Sequence, residues 1–267
     1  PPEPLQSMMM LLGCGSSGSG VSVSDEVAQF FDRLAPEPDT ALRADYITFI
    51  DGCAAAGIWT SLKCALALAV SHEGQAVTDL VTNRIANPEA SFSSDLTWTA
   101  DRGYLSPGLD RLSTEFDPST DAPFQDSGFV AFYSLTSGQI NSPALHMGQS
   151  GSTTTNDKIS IYPKWSTNKV EGTIANSSTY IIVATADNSD GWFIMNRSAP
   201  NAFSLRRNTT QKGTSSAASS AYTAGEKVKL RCHHQTAFFV AGSSLSGAQH
   251  DALYALVVAF LTSRGAI

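Results

Sequence analysis

The chain has 267 residues, of which 42% are hydrophobic and 15% charged; about 25% charged is usual for a soluble domain. Its 13 Phe, 7 Tyr and 4 Trp can fill a core, which excludes an intrinsically disordered chain. The net charge of −7 is uneven, with 18 acidic and 6 basic residues in 1–133 against 6 acidic and 11 basic in 134–267.

A chain with an acidic half and a basic half suits head-to-tail packing with its own copies or with neighbours. Ser and Thr outnumber Lys and Arg more than threefold. Such a hydroxyl-rich surface fits a β-rich extracellular or particle-surface protein. No basic run is long enough for a nucleic-acid surface. The densest spots are Arg206-Arg207 and Lys227/Lys229/Arg231, and the last three alternate as on one exposed face of a strand. The longest apolar stretches, around 65–70 and 253–261, are shorter than the ~20 residues a membrane span needs.

Residues 1–24 read as an arm: a Pro-rich start, the apolar plug Met8, Met9, Met10, Leu11 and Leu12, then Gly and Ser. The plug is expected to dock on a partner, because Met adapts to irregular surfaces. Met8 to Cys14 looks like a lipoprotein cleavage box. No Lys or Arg precedes it, however, and its apolar run falls short of the ~7–15 residues of a signal core. Gly13, Gly15 and Gly18 form a G-x-G-x-x-G, but it runs into Ser and Val with no βαβ pattern around it. The four cysteines, at 14, 53, 64 and 232, form no C-x-x-C pair, so no zinc site is expected. Cys14, in an accessible arm, is a candidate for an intermolecular disulfide.

Residues 25–82 read as helical. Ser24 can cap a helix with Val27, Phe30, Phe31 and Leu34 on one stripe, and Pro36-Glu37-Pro38 breaks it. Asp39 or Thr40 caps a second helix burying Leu42, Tyr46, Phe49, Ile50 and Cys53, with Gly57 just past its end. The Ala/Leu-rich stretch 58–81 reads as two further helical pieces divided near 71–74.

From 83 onward short β-prone runs alternate with turns: 128–135, 144–148, 158–165, 179–186, 192–196, 202–207, 227–232 and 237–242. Asp190-Gly191 reads as a hairpin turn between two of them. This spacing predicts an antiparallel β-sandwich or jelly roll. The chain closes with an amphipathic helix over 246–263. Its Ser246–Gln249 capping box precedes an apolar face of Leu253, Leu256, Val257, Phe260 and Leu261.

The chemistry-bearing residues are sparse. There is no G-x-S-x-G and no H-E-x-x-H. His233 and His234 are placed on a strand, with rings to opposite faces. Asp117/Asp121 and Asp187/Asp190 read as Asx-turn residues rather than paired catalytic carboxylates. Trp165 and Trp192 are the candidates for stacking on sugar rings; the competing reading packs both into the sandwich.

Three stretches are distinctive: Phe49 to Trp59 leading into Leu62; Leu96 to Tyr104 followed by Thr114 to Pro118; and Phe238 to Ser246 with the Leu253-Tyr254-Ala255-Leu256 helix. Together they resemble structural proteins of tailed bacteriophages, and of related gene-transfer particles, that carry a concanavalin/laminin-G-like jelly roll. The resemblance covers about 25–267 and leaves the arm unmatched. It implies a virion protein assembled in the host cytoplasm and displayed on the particle, with no enzyme activity and no cofactor. Its partners are then other virion proteins and its own copies, and family members often bind glycans.

Cys53 and Cys64 depart from the family pattern, where an aliphatic and a polar residue are usual. Cys64 joins Cys14 as an intermolecular disulfide candidate, while Cys53 and Cys232 are expected to be buried or paired within the chain. The organisation expected is a docking arm (1–24), a helical segment (25–82) and a jelly roll ending in a helix (83–267). The leading expectation is a structural subunit of collar, neck, tail or capsid decoration. The alternative is a receptor-binding or fibre protein recognising host surface polysaccharide through its loops.

Overall fold

The computed structural model describes residues 25–89, 95–106, 111–121, 125–137, 144–147, 159–166, 169–174, 181–184, 188–222 and 225–267. The arm, with Met8–Leu12 and Cys14, lies outside them.

The chain opens with α1 (Asp25–Arg33) and α2 (Thr40–Ala55). Val27, Phe30, Phe31 and Leu34 are buried, as the 3.6-residue stripe requires. Asp39 caps α2, its carboxylate accepting from Leu42 N–H at 2.8 Å. Gly57 ends it at φ +64°. The Gly57 and Ile58 N–H groups bond back to Ala54 and Cys53 carbonyls at 3.0 and 2.8 Å, a Schellman ending.

Beyond Gly57 the chain departs from the helical expectation. β1 (Leu62–Ala67) is a strand, and only the four-residue α3 (Glu73–Ala76) follows it. β1 pairs with a C-terminal strand from Leu62↔Gly242 to Ala67↔Phe238, and all but Lys63 of it is buried. A strand covered on both faces reads as an unbroken apolar run, which periodicity alone does not separate from a buried helix.

The remaining strands are β2 (Asn87–Pro88), β3 (Thr97–Thr99), β4 (Gly103–Leu105), β5 (Arg111–Ser113), β6 (Gly128–Ser134), β7 (Leu145–Met147), β8 (Ile159–Ser166), β9 (Lys169–Ile174) and β10 (Ile181–Ala184). They continue with β11 (Gly191–Ala199), β12 (Ala202–Arg207), β13 (Thr210–Ser215), β14 (Lys229–Arg231) and β15 (Thr236–Gly242), and α4 (Gly247–Ser263) closes the chain. One sheet has eight strands, in the order β13-β12-β11-β6-β15-β4-β3 with β1 also on β15; the other has seven, β10-β9-β8-β7-β14-β5-β2. The pairings are antiparallel, and the fold is an antiparallel β-sandwich of the jelly-roll kind.

The eight-stranded sheet lies between the helices and the second sheet. Phe238 of β15 meets Phe49 of α2 and Phe260 of α4 at ring-centroid distances of 5.2 and 5.7 Å. The capping box of α4 is formed, with Ser246 Oγ accepting from Gln249 N–H at 3.3 Å and Gln249 Oε1 accepting from Ser246 N–H at 2.9 Å. On the other face Phe193 stacks on Phe132 at 5.6 Å, and Met195 fills the space beside Gly172 of β9. Arg197 of β11 stitches the two sheets together. Its Nε and Nη2 donate to the Ile174 carbonyl at 3.1 and 2.8 Å, and its Nη1 to those of Pro200 and Ala217 at 2.7 and 3.1 Å.

Asp190-Gly191 does not make the expected hairpin. β10 and β11 belong to different sheets, so the pair is a crossover, and Gly191 takes φ +107° where the chain changes sheet. The true hairpin partner of β11 is β12.

Candidate functional site

The sandwich places a cleft on the outward face of the seven-stranded sheet. β5 and β14 pair in the register Lys229↔Ser113, Leu230↔Leu112, Arg231↔Arg111, and β2 adds Asn87↔Ser113. Leu112 and Leu230 are fully buried and point into the core. By the two-residue strand period, Lys229, Ser113 and Arg111 therefore fall on the opposite face. The cleft there has a volume of about 590 Å³. Its floor is Arg111, and its walls include Glu89, Lys229, Lys227, Glu226 and Glu115.

The charges interlock. Glu89 is fixed through its backbone, its N–H donating to the Arg111 carbonyl at 3.0 Å. Its carboxylate takes Lys229 Nζ at 2.7 Å and Arg111 Nη1 at 3.7 Å. Arg111 is fully buried, and Glu89 sets a compensating charge beside its guanidinium. Lys227 Nζ lies 3.5 Å from Asp117. Burial by itself would lift the Asp117 carboxyl. The Ser119 hydroxyl and N–H, the Lys227 ammonium and the Gly225 N–H outweigh it and hold the carboxyl below the ordinary carboxylate range. Asp117 thereby ties the turn after β5 to Gly225, where φ is +81°, and so sets the cleft wall before β14.

Glu115 is set apart by its backbone. Thr114 N–H donates to the Val228 carbonyl at 3.0 Å, and Val228 N–H to the Phe116 carbonyl at 2.9 Å. Between these anchors Glu115 takes φ +58°, a region that favours Gly and Asn. Glu115 and Glu226 make no ion pair among the described residues. The described walls carry three cations, three carboxylates and no aromatic ring. Chemically this is a dense set of donors and acceptors suited to a ligand rich in hydroxyls. Among the described residues, no three His, Cys, Asp or Glu side chains converge as a metal site.

The residues singled out from sequence fall elsewhere. Trp192 is fully buried; it shares a row with Tyr133 and Phe238, on the face covered by helices, and offers no ring to a sugar. Trp165 is the penultimate residue of β8, and its side chain is outside the described set. Cys64 is not an accessible thiol: it is fully buried on β1, its S–H donating to the Thr114 carbonyl at 3.9 Å. Burial, with Asp79 beside it, pushes that thiol well up. Cys53 and Cys232 are buried, the Cys232 S–H donating to the Leu230 carbonyl at 3.7 Å, and burial lifts Cys53 to about 12. His233 and His234 lie in the turn after β14 rather than on a strand; His234 is buried and His233 partly exposed. Asp117 and Asp121 do act as turn acceptors, Asp117 for Ser119 N–H at 2.9 Å and Asp121 for Asp117 N–H at 2.7 Å.

Sequence reasoning noted Lys227, Lys229 and Arg231 as one face but did not find the cleft. Its other half, Asn87–Glu89 and Arg111–Glu115, comes from strands of two and three residues, too short to show a period. The Glu115 conformation has no sequence signal at all.

No protein-family model and no curated protein matches the chain. Solved structures do match in fold. The botulinum neurotoxin serotype D binding domain superposes with a TM-score of 0.52 at 12% identity, over 74% of this chain and 52% of that one. The receptor binding domain of a botulinum neurotoxin C/D mosaic serotype gives the same four figures. This chain thus spans about half the length of these two matches. Domain 4 of a GH43 extracellular arabinanase from Geobacillus stearothermophilus, solved in complex with arabinotriose, has a TM-score of 0.50 at 10% identity, over 72% of this chain and 98% of that domain. At these identities the likeness is one of fold.

Proposed function

We propose that this chain is a non-catalytic glycan-binding module carried on the surface of a tailed-phage or related particle, and that the cleft over β2, β5 and β14 is its saccharide site. The observation that carries the reading is the cleft: about 590 Å³, within the range of small-molecule sites, walled by side chains that hydrogen-bond hydroxyls. The fold likeness to a toxin receptor-binding domain and to a domain solved with arabinotriose supports it. The particle setting rests on the three stretches that resemble phage structural proteins, and on an apolar arm suited to anchoring the module to a neighbour.

The test is retention of the purified chain on gels containing host surface polysaccharide. Wild type is retarded. Lys229→Ala removes a donor from the cleft wall and weakens binding about tenfold, ~1.4 kcal/mol. Unretarded wild type, or full binding by Lys229→Ala, counts against the site.

A structural-subunit role is the second reading, favoured by the opposite charges of the two halves of the sequence. With Cys64 buried, any intermolecular disulfide falls to Cys14. In particles run without reductant, Cys14→Ser abolishes any cross-linked band and Cys64→Ser does not.

A further inference from the structure

We infer that the ligand of this cleft is an electrically neutral saccharide, and that Glu115 and Glu226 turn acidic saccharides away. The inference rests on the glycan-binding reading above and adds the class of glycan.

Three cations line the cleft, which suggests an anion site. Their pairing argues the reverse. Arg111 and Lys229 share Glu89, at 3.7 and 2.7 Å, and Lys227 is held by Asp117 at 3.5 Å. A ligand carboxylate or sulfate that takes one of these cations wholly for itself must pull it from Glu89 or Asp117. The abandoned carboxylate then stays where it is, its side chain 28% exposed for Glu89 and 4% for Asp117. Breaking a sheltered ion pair by removing one partner is strongly unfavourable.

Glu115 and Glu226 add repulsion. Both line the cleft and neither has a counter-ion among the described residues, so an entering anion meets two unpaired carboxylates against the one cation by which Arg111 and Lys229 outnumber Glu89. Turning a competitor away by like charge is a general device of specificity. A glutamate at φ +58° also stands where local structure favours Gly or Asn, so backbone conformation does not account for its presence. A neutral sugar meets none of these obstacles. Its hydroxyls accept from the lysine ammonium groups and donate to the carboxylates while every ion pair stays in place.

The test is binding of the full chain to a panel of immobilised neutral, uronate-bearing, sialylated and sulfated glycans, at low and high salt, alongside a Glu115→Gln/Glu226→Gln double variant. Wild type is expected on neutral glycans alone, with affinity varying less than about twofold with salt. In the double variant the ratio of acidic to neutral glycan binding rises about tenfold or more. Preference of wild type for acidic glycans overturns the neutral class and leaves the glycan reading standing. Binding to no glycan overturns both. A double variant whose ratio of acidic to neutral binding does not rise overturns the gating role of the two glutamates.

Discussion

Single residues fix the cleft through charges placed where they have little choice of partner. Asp117 is nearly buried and holds Ser119, Gly225 and Lys227. The folded chain keeps its carboxyl below the unfolded value. Its stabilisation is therefore complete above the unfolded carboxylate value and is lost as pH falls through the folded one. Asp117→Asn is expected to be less stable than wild type at pH 7. The gap closes on acidification below about pH 4, the usual carboxylate value, as read by urea melts across pH. Asp79 works by geometry instead. Its Oδ1 accepts Ala65 N–H at 2.9 Å and Val81 N–H at 3.0 Å, and Thr82 bonds the other oxygen. Asp79→Ala strands two N–H groups and costs about 3 kcal/mol, while Asp79→Asn, which keeps an acceptor, costs less than half of that. Thiol titration supplies a further check: Cys53, Cys64 and Cys232 are buried and react with a thiol reagent only on unfolding, whereas early reaction of Cys64 contradicts its place on β1.

At the scale of elements, close approach of backbones decides which positions tolerate a side chain. A Cβ on Gly242 of β15 would sit 2.0 Å from the Ser61 carbonyl oxygen and 3.0 Å from Leu62 Cα. Gly242→Ala must push β1 off its partner and is expected to cost more than about 2 kcal/mol in a denaturant melt. Gly225, at φ +81° with nothing within 4 Å, is expected to lose only the left-handed penalty of about 1–2 kcal/mol as Ala. The same elements show what a sequence can carry. All eight β-prone runs, the Asp39 cap, the Gly57 ending and the Ser246 capping box were legible, because each has a local chemical signature. β1 was not, because a doubly covered strand has no alternation. β2, β3, β4 and β5 were not, because two or three residues hold no period, and neither were β9 and β13, whose glycine and polar residues break an apolar alternation. The cleft is built on β2 and β5 and on a left-handed glutamate, which is why the site is not legible although eight of the fifteen described strands are. Trp192 drew attention as an aromatic near a turn; its burial follows from the helical layer, whose placement over β6, β11 and β15 is a long-range fact.

For the whole molecule, the layers divide the work. Helices cover one face of the eight-stranded sheet, the two sheets share the aromatic core, and the seven-stranded sheet presents the charged cleft outward. In the proposed reading the cleft face meets the ligand and leaves the helical face for attachment. The central claim is that the cleft over β2, β5 and β14 is where a glycan binds. Amide hydrogen exchange of the full chain, with and without the glycan that retains it most strongly, tests this most directly. The account predicts slowed exchange in 87–89, 111–115 and 225–229, with α2 and α4 unchanged. Unchanged exchange in those three segments, with protection elsewhere on the molecule, contradicts it.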